Sequence, residues 1–524
     1  MRRFKPVIYF IISALLTSSC TDKPSSPFVT VDGTLFRDQH QRELILNGIN
    51  LIIKDTERDY ICGMAQEEFN QISDWGFNVI RLGIIWDGLE PEPGVYNDSM
   101  FQCLDERIRW ARENGLYVLL DMHQDLYSVQ FSDGAPEWAT ITDDLPHYTG
   151  DVWSDAYLIS PAVQTAFDNF WNNRPATDGM GIQDHYAQLW KLIAERYADE
   201  PTVIGYDLMN EPFIGTEARA FFPAMVEAYM AVFEEQIEEA GLEPGELMEM
   251  WAHPEGRATI LEQMTDTAIY SKVVCAVQEM NQAFESTVLM DMYTRVAKAI
   301  REVDPNHIIF LEHSYFSNPG VPSGIQRITY ADGTKEEKLA YAPHGYDLVV
   351  DTKAYTNASN NRVGYLFDQI YRTSKRLDMP MLVGEWGAFS GVDSSFVDQT
   401  LFILEKFENF RCSQTFWAHY QGMEKHPYFK TLIRPRPMEV AGTIESFSYD
   451  PKQNRFSCSW FEDGKVQEPS TFFLPGITHA DALDIKLIPR GDGFEIKFRD
   501  QNPGVILSIE PSENSLLREL TITF

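Results

Sequence analysis

Between residues 40 and 425 the chain alternates short apolar runs with longer stretches whose apolar residues recur every three to four positions. That is the pattern of parallel strands joined by amphipathic helices. Eight such runs occur, at 45–52, 78–85, 117–125, 203–212, 307–314, 339–347, 381–387 and 414–421. Eight is the number that closes a (β/α)8 barrel. Each run is apolar in its first half and polar or aromatic toward its end, where Asn50, Arg81, His123 with Asp125, Asn210 with Glu211, Glu312 with His313, His344 with Tyr346, Glu385 and Trp417 stand. In a barrel these ends share one rim. Merely ending a strand would explain one or two such groups, not a set at every end.

Long segments interrupt the alternation at 126–184 and 213–290. In the second, Phe222, Met225, Tyr229 and Phe233 fall at helical spacing, which fits either a helix packed on the barrel or a lid over an apolar ligand. From Arg434 the texture changes to alternating segments such as SFSYD, FSCSW and GFEIKFRD with frequent turn residues, which predicts a small antiparallel β-sandwich. The expected division is a barrel domain at 31–433 and a sandwich at 434–524. No solenoid repeat and no phosphate-cradling glycine loop interrupts it.

A chain of 524 residues, 44% hydrophobic, has enough apolar surface for two cores. Its formal charge of -35 would repel a phosphate backbone, so no nucleic-acid partner is expected. Arg2, Arg3 and Lys5 precede an apolar stretch from Val7 to Leu16, which reads as an export signal spanning 1–19, too short for a membrane span. The small residues before Cys20 resemble a bacterial lipoprotein signal. Cleavage there with lipid on Cys20 would leave a 20–30 tether and a protein anchored to a membrane surface, periplasmic or at the cell surface; the alternative is a plain secretory signal. Five cysteines remain, an odd number, with Cys62–Cys103 as a possible bridge and the others as apolar fillers.

The barrel brings Glu211 and Glu385 together from the fourth and seventh runs. Two carboxyls facing across a cleft suit hydrolysis of a glycosidic bond, where one protonates the leaving oxygen and the other stabilises or attacks the anomeric carbon. In that scheme Arg81 holds the second ionised and Tyr346 donates to it. Asn210 bonds a sugar 2-hydroxyl, His123 and His344 bond sugar hydroxyls or the acid, Asp125 supports them, and Trp417 offers a platform to a pyranose ring. None of these roles calls for a metal or a cofactor, and Glu312 with His313 is too small a set for one.

RLGI, NEP and GEWG resemble glycoside hydrolase family 5, a family of retaining (β/α)8 enzymes. The resemblance implies that Glu211 is the acid/base and Glu385 the nucleophile, with Arg81, His123, His344, Tyr346 and Trp417 at matching positions. LDMHQD, DGAPEWAT and PRPMEVAGTIESFSYD are similar to the endoglycoceramidase and glucosylceramidase branch, which implies a glycolipid or oligosaccharide substrate carried on ceramide or a related lipid. The segment 241–280 has no counterpart in that resemblance. An endoglucanase or mannanase would share the same catalytic residues and would act on polysaccharide. A glycan-binding protein without catalysis would have replaced one of the glutamates, and both are present.

Overall fold

The eight runs fold into eight parallel strands: β1 (Asn47–Leu51), β2 (Val79–Ile85), β3 (Tyr117–His123), β4 (Val203–Asp207), β5 (Ile308–Leu311), β6 (Leu339–Tyr341), β7 (Leu382–Val383) and β8 (Ser413–Phe416). Their order is β7-β8-β1-β2-β3-β4-β5-β6, and a parallel bridge between Tyr341 and Met381 brings β6 beside β7 to close the ring. Beyond it, His344–Gly345 pairs in parallel with Glu385–Trp386, extending the wall at the rim. The computed structural model describes residues 27–389, 395–462, 464–489, 493–499 and 503–524. The leader 1–19, Cys20 and most of the tether lie outside the described residues.

Burial on both faces explains why these runs are nearly continuous in Val, Ile and Leu rather than alternating. Inside the barrel's lower half, Val79, Leu119, Ile204, Ile308, Phe310 and Leu382 meet Val29, Phe36, Leu44 and Leu46 from the N-terminal segment. Phe36 stacks on Phe310 at 5.9 Å between centroids. The floor is thus plugged, and the chemistry is left to the opposite rim. The Cys62–Cys103 disulfide forms, tying the turn Tyr60–Gly63 to the helix Asp98–Glu113; Cys412 and Cys458 are buried and Cys275 half-buried.

The C-terminal domain is a sandwich of two antiparallel sheets. One orders Thr443–Asp450, Arg455–Glu462, Leu516–Thr523 and Asp484–Ile488; the other is seven-stranded. Trp460, Phe472, Leu474, Leu507 and Ile522 pack between them. The division at 31–433 needs one amendment. The strands Thr30–Asp32, Leu35–Arg37 and Glu43–Leu44 join the seven-stranded sheet, where Glu43–Leu44 pairs with Arg436–Val440, so the N-terminus belongs to both units.

The segment 213–290 forms a helical cap at the rim: α1 (Phe221–Val232), α2 (Glu234–Ala240), α3 (Pro244–Ala252), α4 (Pro254–Gln263) and α5 (Thr267–Cys275), followed by the helical stretches Gln278–Phe284 and Glu285–Leu289. Proline opens α3 and α4, where its missing N–H costs nothing. The predicted stripe is split. Phe222, Met225 and Tyr229 face a cavity, while α1 ends before Phe233, whose ring packs on Tyr229 at 4.8 Å.

The two domains meet over buried charge. Arg434 Nη2 lies 2.6 Å from Glu408 Oε1, and Glu408 also accepts from the Tyr449 N–H at 3.2 Å. Burial, against the pull of Arg434, pushes the Glu408 carboxyl up to about 7. Removing one partner of such a pair strands the other, so Arg434→Met should lower unfolding stability by about 3 kcal/mol, and adding Glu408→Gln should restore at least half. Denaturant unfolding of the double-mutant cycle measures both; a loss below about 1 kcal/mol for the single variant would show that the pair does not pin the interface.

Candidate active site

Arg81 rises from the middle of β2 into the barrel and is fully buried. Its Nη1 donates to Glu385 Oε1 at 2.7 Å and Asn50 Oδ1 at 3.1 Å; Nη2 donates to Glu312 Oε1 at 2.8 Å and Asn210 Oδ1 at 3.0 Å; Nε donates to Asp207 Oδ2 at 2.9 Å. Asp121 Oδ1 stands 2.8 Å from Nη2. One guanidinium therefore faces four buried carboxyls, sheltered from bulk solvent. The surplus acid is handled by protonation. Burial, reinforced by Glu312, raises Asp207 well above the carboxylate range, while His344 is held as imidazolium because Glu312, Glu385 and Glu211 outweigh its desolvation.

Glu385 sits just beyond β7. Its Oε2 accepts from the Tyr346 hydroxyl at 2.7 Å, so both oxygens are held by donors. Gly384 precedes it for a steric reason: a Cβ there would come within 2.9 Å of His344 Nε2.

Glu211 adopts φ +45, a left-handed conformation that an L side chain takes only when its surroundings impose it. Those surroundings are visible. Its N–H donates to Glu312 Oε2 at 2.8 Å, and Gln124 Nε2 donates to the carbonyls of Asn210 at 2.7 Å and Glu211 at 3.1 Å. The carboxylate Oε1 accepts from Asn318 Nδ2 at 2.7 Å and His344 Nδ1 at 3.0 Å. Burial, against the hydrogen bond and charge of His344 and with smaller contributions from the charges of Glu385 and Asp125, raises the Glu211 carboxyl to about 7. A carboxylate oxygen of Glu211 lies within 4.8 Å of one of Glu385.

Both acids open onto a cavity of about 530 Å³. Its polar end holds His123, Asp125, Lys54 and Trp417. The His123 ring lies parallel to Trp417 at 5.3 Å, its Nδ1 bonds Asp121 at 2.8 Å, and its buried Nε2 makes no hydrogen bond but lies 3.8 Å from Asp125 Oδ2. Burial and Lys54 would lower the His123 pKa, but Asp121 and Asp125 push it up to about 9. Lys54 bonds Asp125 and lies 4.7 Å over the Trp417 ring; against burial, it draws Asp125 down to about 2. The other end is apolar, walled by Phe222, Met225, Val226, Trp251, Ile260 and Val273.

Of the residues expected at the site, Glu211, Glu385, His123, Asp125, Tyr346 and Trp417 line this cavity, whereas Arg81, His344 and Asn210 stand behind them. Asn210 Nδ2 donates inward to the Gln124 carbonyl at 3.0 Å. Sequence reasoning missed Lys54, Gln124, Asp121, Asp207 and Asn318. A charged residue inside an apolar run was the available signal for Asp121 and Asp207, since such a group must find a buried partner. Three acid and histidine groups have metal-like spacing, namely His123–Asp125–Asp133, Asp207–Glu312–His344 and Glu211–His344–Glu385. In each, Lys54 or Arg81 already supplies the cation that the carboxylates need.

Comparison with known proteins places these residues in context. The model of "Cellulase (glycosyl hydrolase family 5)" matches residues 38–245 and 263–422, and that of the "Glycoside hydrolase family 5 C-terminal domain" matches 434–519. The endoglycoceramidase I of Rhodococcus hoagii is 30% identical over 482 residues, 88% of this chain and 83% of that one. The endoglycoceramidase of Cyanea nozakii is 32% identical over 41% of this chain; the match spans about half of that relative, 48%. The solved endo-glycoceramidase II from Rhodococcus sp. in complex with ganglioside GM3 superposes with a TM-score of 0.68 at 25% identity, covering 94% of this chain and 99% of that one.

The electrostatics make a prediction independent of any activity. The Glu211 carboxyl should titrate near pH 7, neutral below and ionised above, and Glu385→Gln should lower that value by deleting the neighbouring charge. Carbon NMR of labelled glutamate, assigned with Glu211→Gln, reads it; a midpoint near the ordinary 4.5 would contradict the burial argument.

Proposed function

The chain belongs to glycosyl hydrolase family 5, and on that premise we propose that it hydrolyses the β-glucosyl linkage of glycosphingolipids by double displacement, with Glu385 as nucleophile and Glu211 as acid/base. One observation carries the reading: two carboxyls within 4.8 Å of each other line one cavity together with His123, Lys54 and Trp417 and with the apolar residues Phe222, Met225, Val226, Trp251, Ile260 and Val273. Inverting pairs stand about 6.5–9.5 Å apart to admit a water; the closer spacing leaves room only for the sugar, and favours attack by the carboxylate itself.

The chemistry follows from the environments. Glu385, clamped by Arg81 and Tyr346, is ready to attack the anomeric carbon as an anion. Glu211, neutral up to about pH 7, gives its proton to the glycosidic oxygen as that bond breaks. Once Glu385 is esterified its charge is gone. Its share of the upward push on Glu211 goes with it, so Glu211 becomes a somewhat stronger acid, and its anion, having given its proton to the leaving oxygen, accepts one from the incoming water.

The lipid side of the reading is supported by the apolar wall. At about 0.8 kcal/mol per buried methylene, part of an acyl chain there would outweigh the net contribution of a few sugar hydrogen bonds. The relatives named above are endoglycoceramidases, and one solved neighbour holds a ganglioside. The basic and apolar leader ahead of Cys20 supports placement on a membrane surface, where such substrates reside.

Three measurements test this. Glu385→Gln should abolish turnover with the fold intact, while Glu211→Gln should cost far more on glycosides with poor leaving groups than on activated aryl glycosides and should remove the fall in kcat above pH 7. Equal losses on both substrate types would sink the assignment. For the substrate, kcat/KM should rank a glycosylceramide above the matching methyl glycoside and above a cello-oligosaccharide; the reverse order would favour a polysaccharide hydrolase. For location, Cys20→Ser should release a protein that otherwise partitions into detergent, and a freely soluble wild type would refute the anchor.

A further inference from the structure

The family model leaves out residues 246–262. That interval covers most of α3 and nearly all of α4, and it supplies Leu247, Trp251, Arg257 and Ile260 to the cavity wall. Three are apolar, like the wall around them. Arg257 is the exception, and its side chain is only 5% exposed.

Two contacts hold it in place. Its Nε donates to the Trp251 carbonyl at 2.9 Å, and the guanidinium lies 5.4 Å from the Trp251 ring. Neither uses Nη2, which is buried with no hydrogen-bond partner. Asp155 Oδ2, which lines the same cavity, forms a long ion pair with Nη2 at 3.7 Å, beyond hydrogen-bond reach, and itself accepts from the Val152 N–H at 3.1 Å. Asp155 offsets the charge but leaves the Nη2 N–H groups without an acceptor, and a structural clamp would have satisfied such a buried donor within the chain. The arrangement is that of a donor waiting for an acceptor to arrive in the apolar half of the cavity.

Resting on the lipid-aglycone reading above, we propose that Arg257 is a specificity-determining residue whose Nη2 donates to the amide carbonyl of an N-acylated aglycone. Apolar contacts reward any chain of suitable length. A single charged donor among them selects the lipid that carries a neutral acceptor at that depth, and it disfavours the N-deacylated form, which presents an ammonium instead.

The test compares wild type, Arg257→Met and Arg257→Lys on three β-glucosides, a glycosylceramide, its N-deacylated counterpart and an aryl glycoside. Arg257→Met should reduce the ratio of kcat/KM for the N-acyl over the deacylated lipid at least tenfold, with a smaller loss on the aryl glycoside, and Arg257→Lys should restore part of the ratio. A proportional loss on all three substrates would mark Arg257 as structural and overturn the proposal. So would an unchanged ratio in Arg257→Met. Wild-type activity on the aryl glycoside with none on either lipid would overturn the lipid reading and this inference together, whereas glycolipid hydrolysis with an unchanged ratio overturns this inference alone.

Discussion

Everything at the rim depends on one guanidinium. Arg81 reaches Asp121 on β3, Asp207 on β4, Glu312 beyond β5 and Glu385 beyond β7, all of them buried. A lone cation cannot compensate four anions in a low dielectric, so the site settles by protonating Asp207 and charging His344. Arginine rather than lysine is required because a planar fork can address several carboxylates from fixed directions at once. Only Glu385 among those four lines the cavity. The other three act on a ligand through what they hold.

This core of charge also explains the division of labour between strands and inserts. The charged groups stand on or just beyond barrel strands, whose burial on both faces leaves little freedom. The apolar wall is built instead from short helices in the segment 213–290, two of them opened by proline. Such helices are held by their packing rather than by length, and they tolerate replacement. A family that keeps one reaction and varies its ligands would place variation there. The family model skips residues 246–262 while matching both flanks.

The barrel was legible because periodicity reports burial, and the eight runs coincide with strands. Their ends were read less well. Runs 339–347 and 381–387 each break in two, at Ala342–Pro343 and at Gly384, where the wall bends to form the rim. A proline cannot join a ladder, and the glycine is needed for His344 to approach. The strands at 30–44 have two or three residues each, too few for any period to show, so their membership of the second sheet is a tertiary fact. Glu211 and Glu385 stood out as acids ending apolar runs. Asn318 did not, because a loop asparagine carries no local sign that it will meet a carboxylate from another strand.

The spacing of the two glutamates is the quantity that decides stereochemistry, and neither side chain sets it alone. Glu385 Oε1 is fixed by Arg81 at 2.7 Å, Arg81 is fixed by Glu312 Oε1 at 2.8 Å, and Glu312 Oε2 fixes the backbone N–H of Glu211 at 2.8 Å. Three charge-assisted bonds in series therefore link the proposed nucleophile to the backbone of the proposed acid. The strained φ of Glu211 belongs to the same chain, because an unconstrained glutamate would relax and carry its carboxyl away. Glu312 is fully buried and is not among the residues lining the cavity; sequence reasoning placed it at the rim with His313, a pair too small for a metal, and gave it no other role. Its geometry gives it a different task, that of coupling the position of Glu385 to the backbone of Glu211 and so fixing the separation on which the proposed double displacement depends.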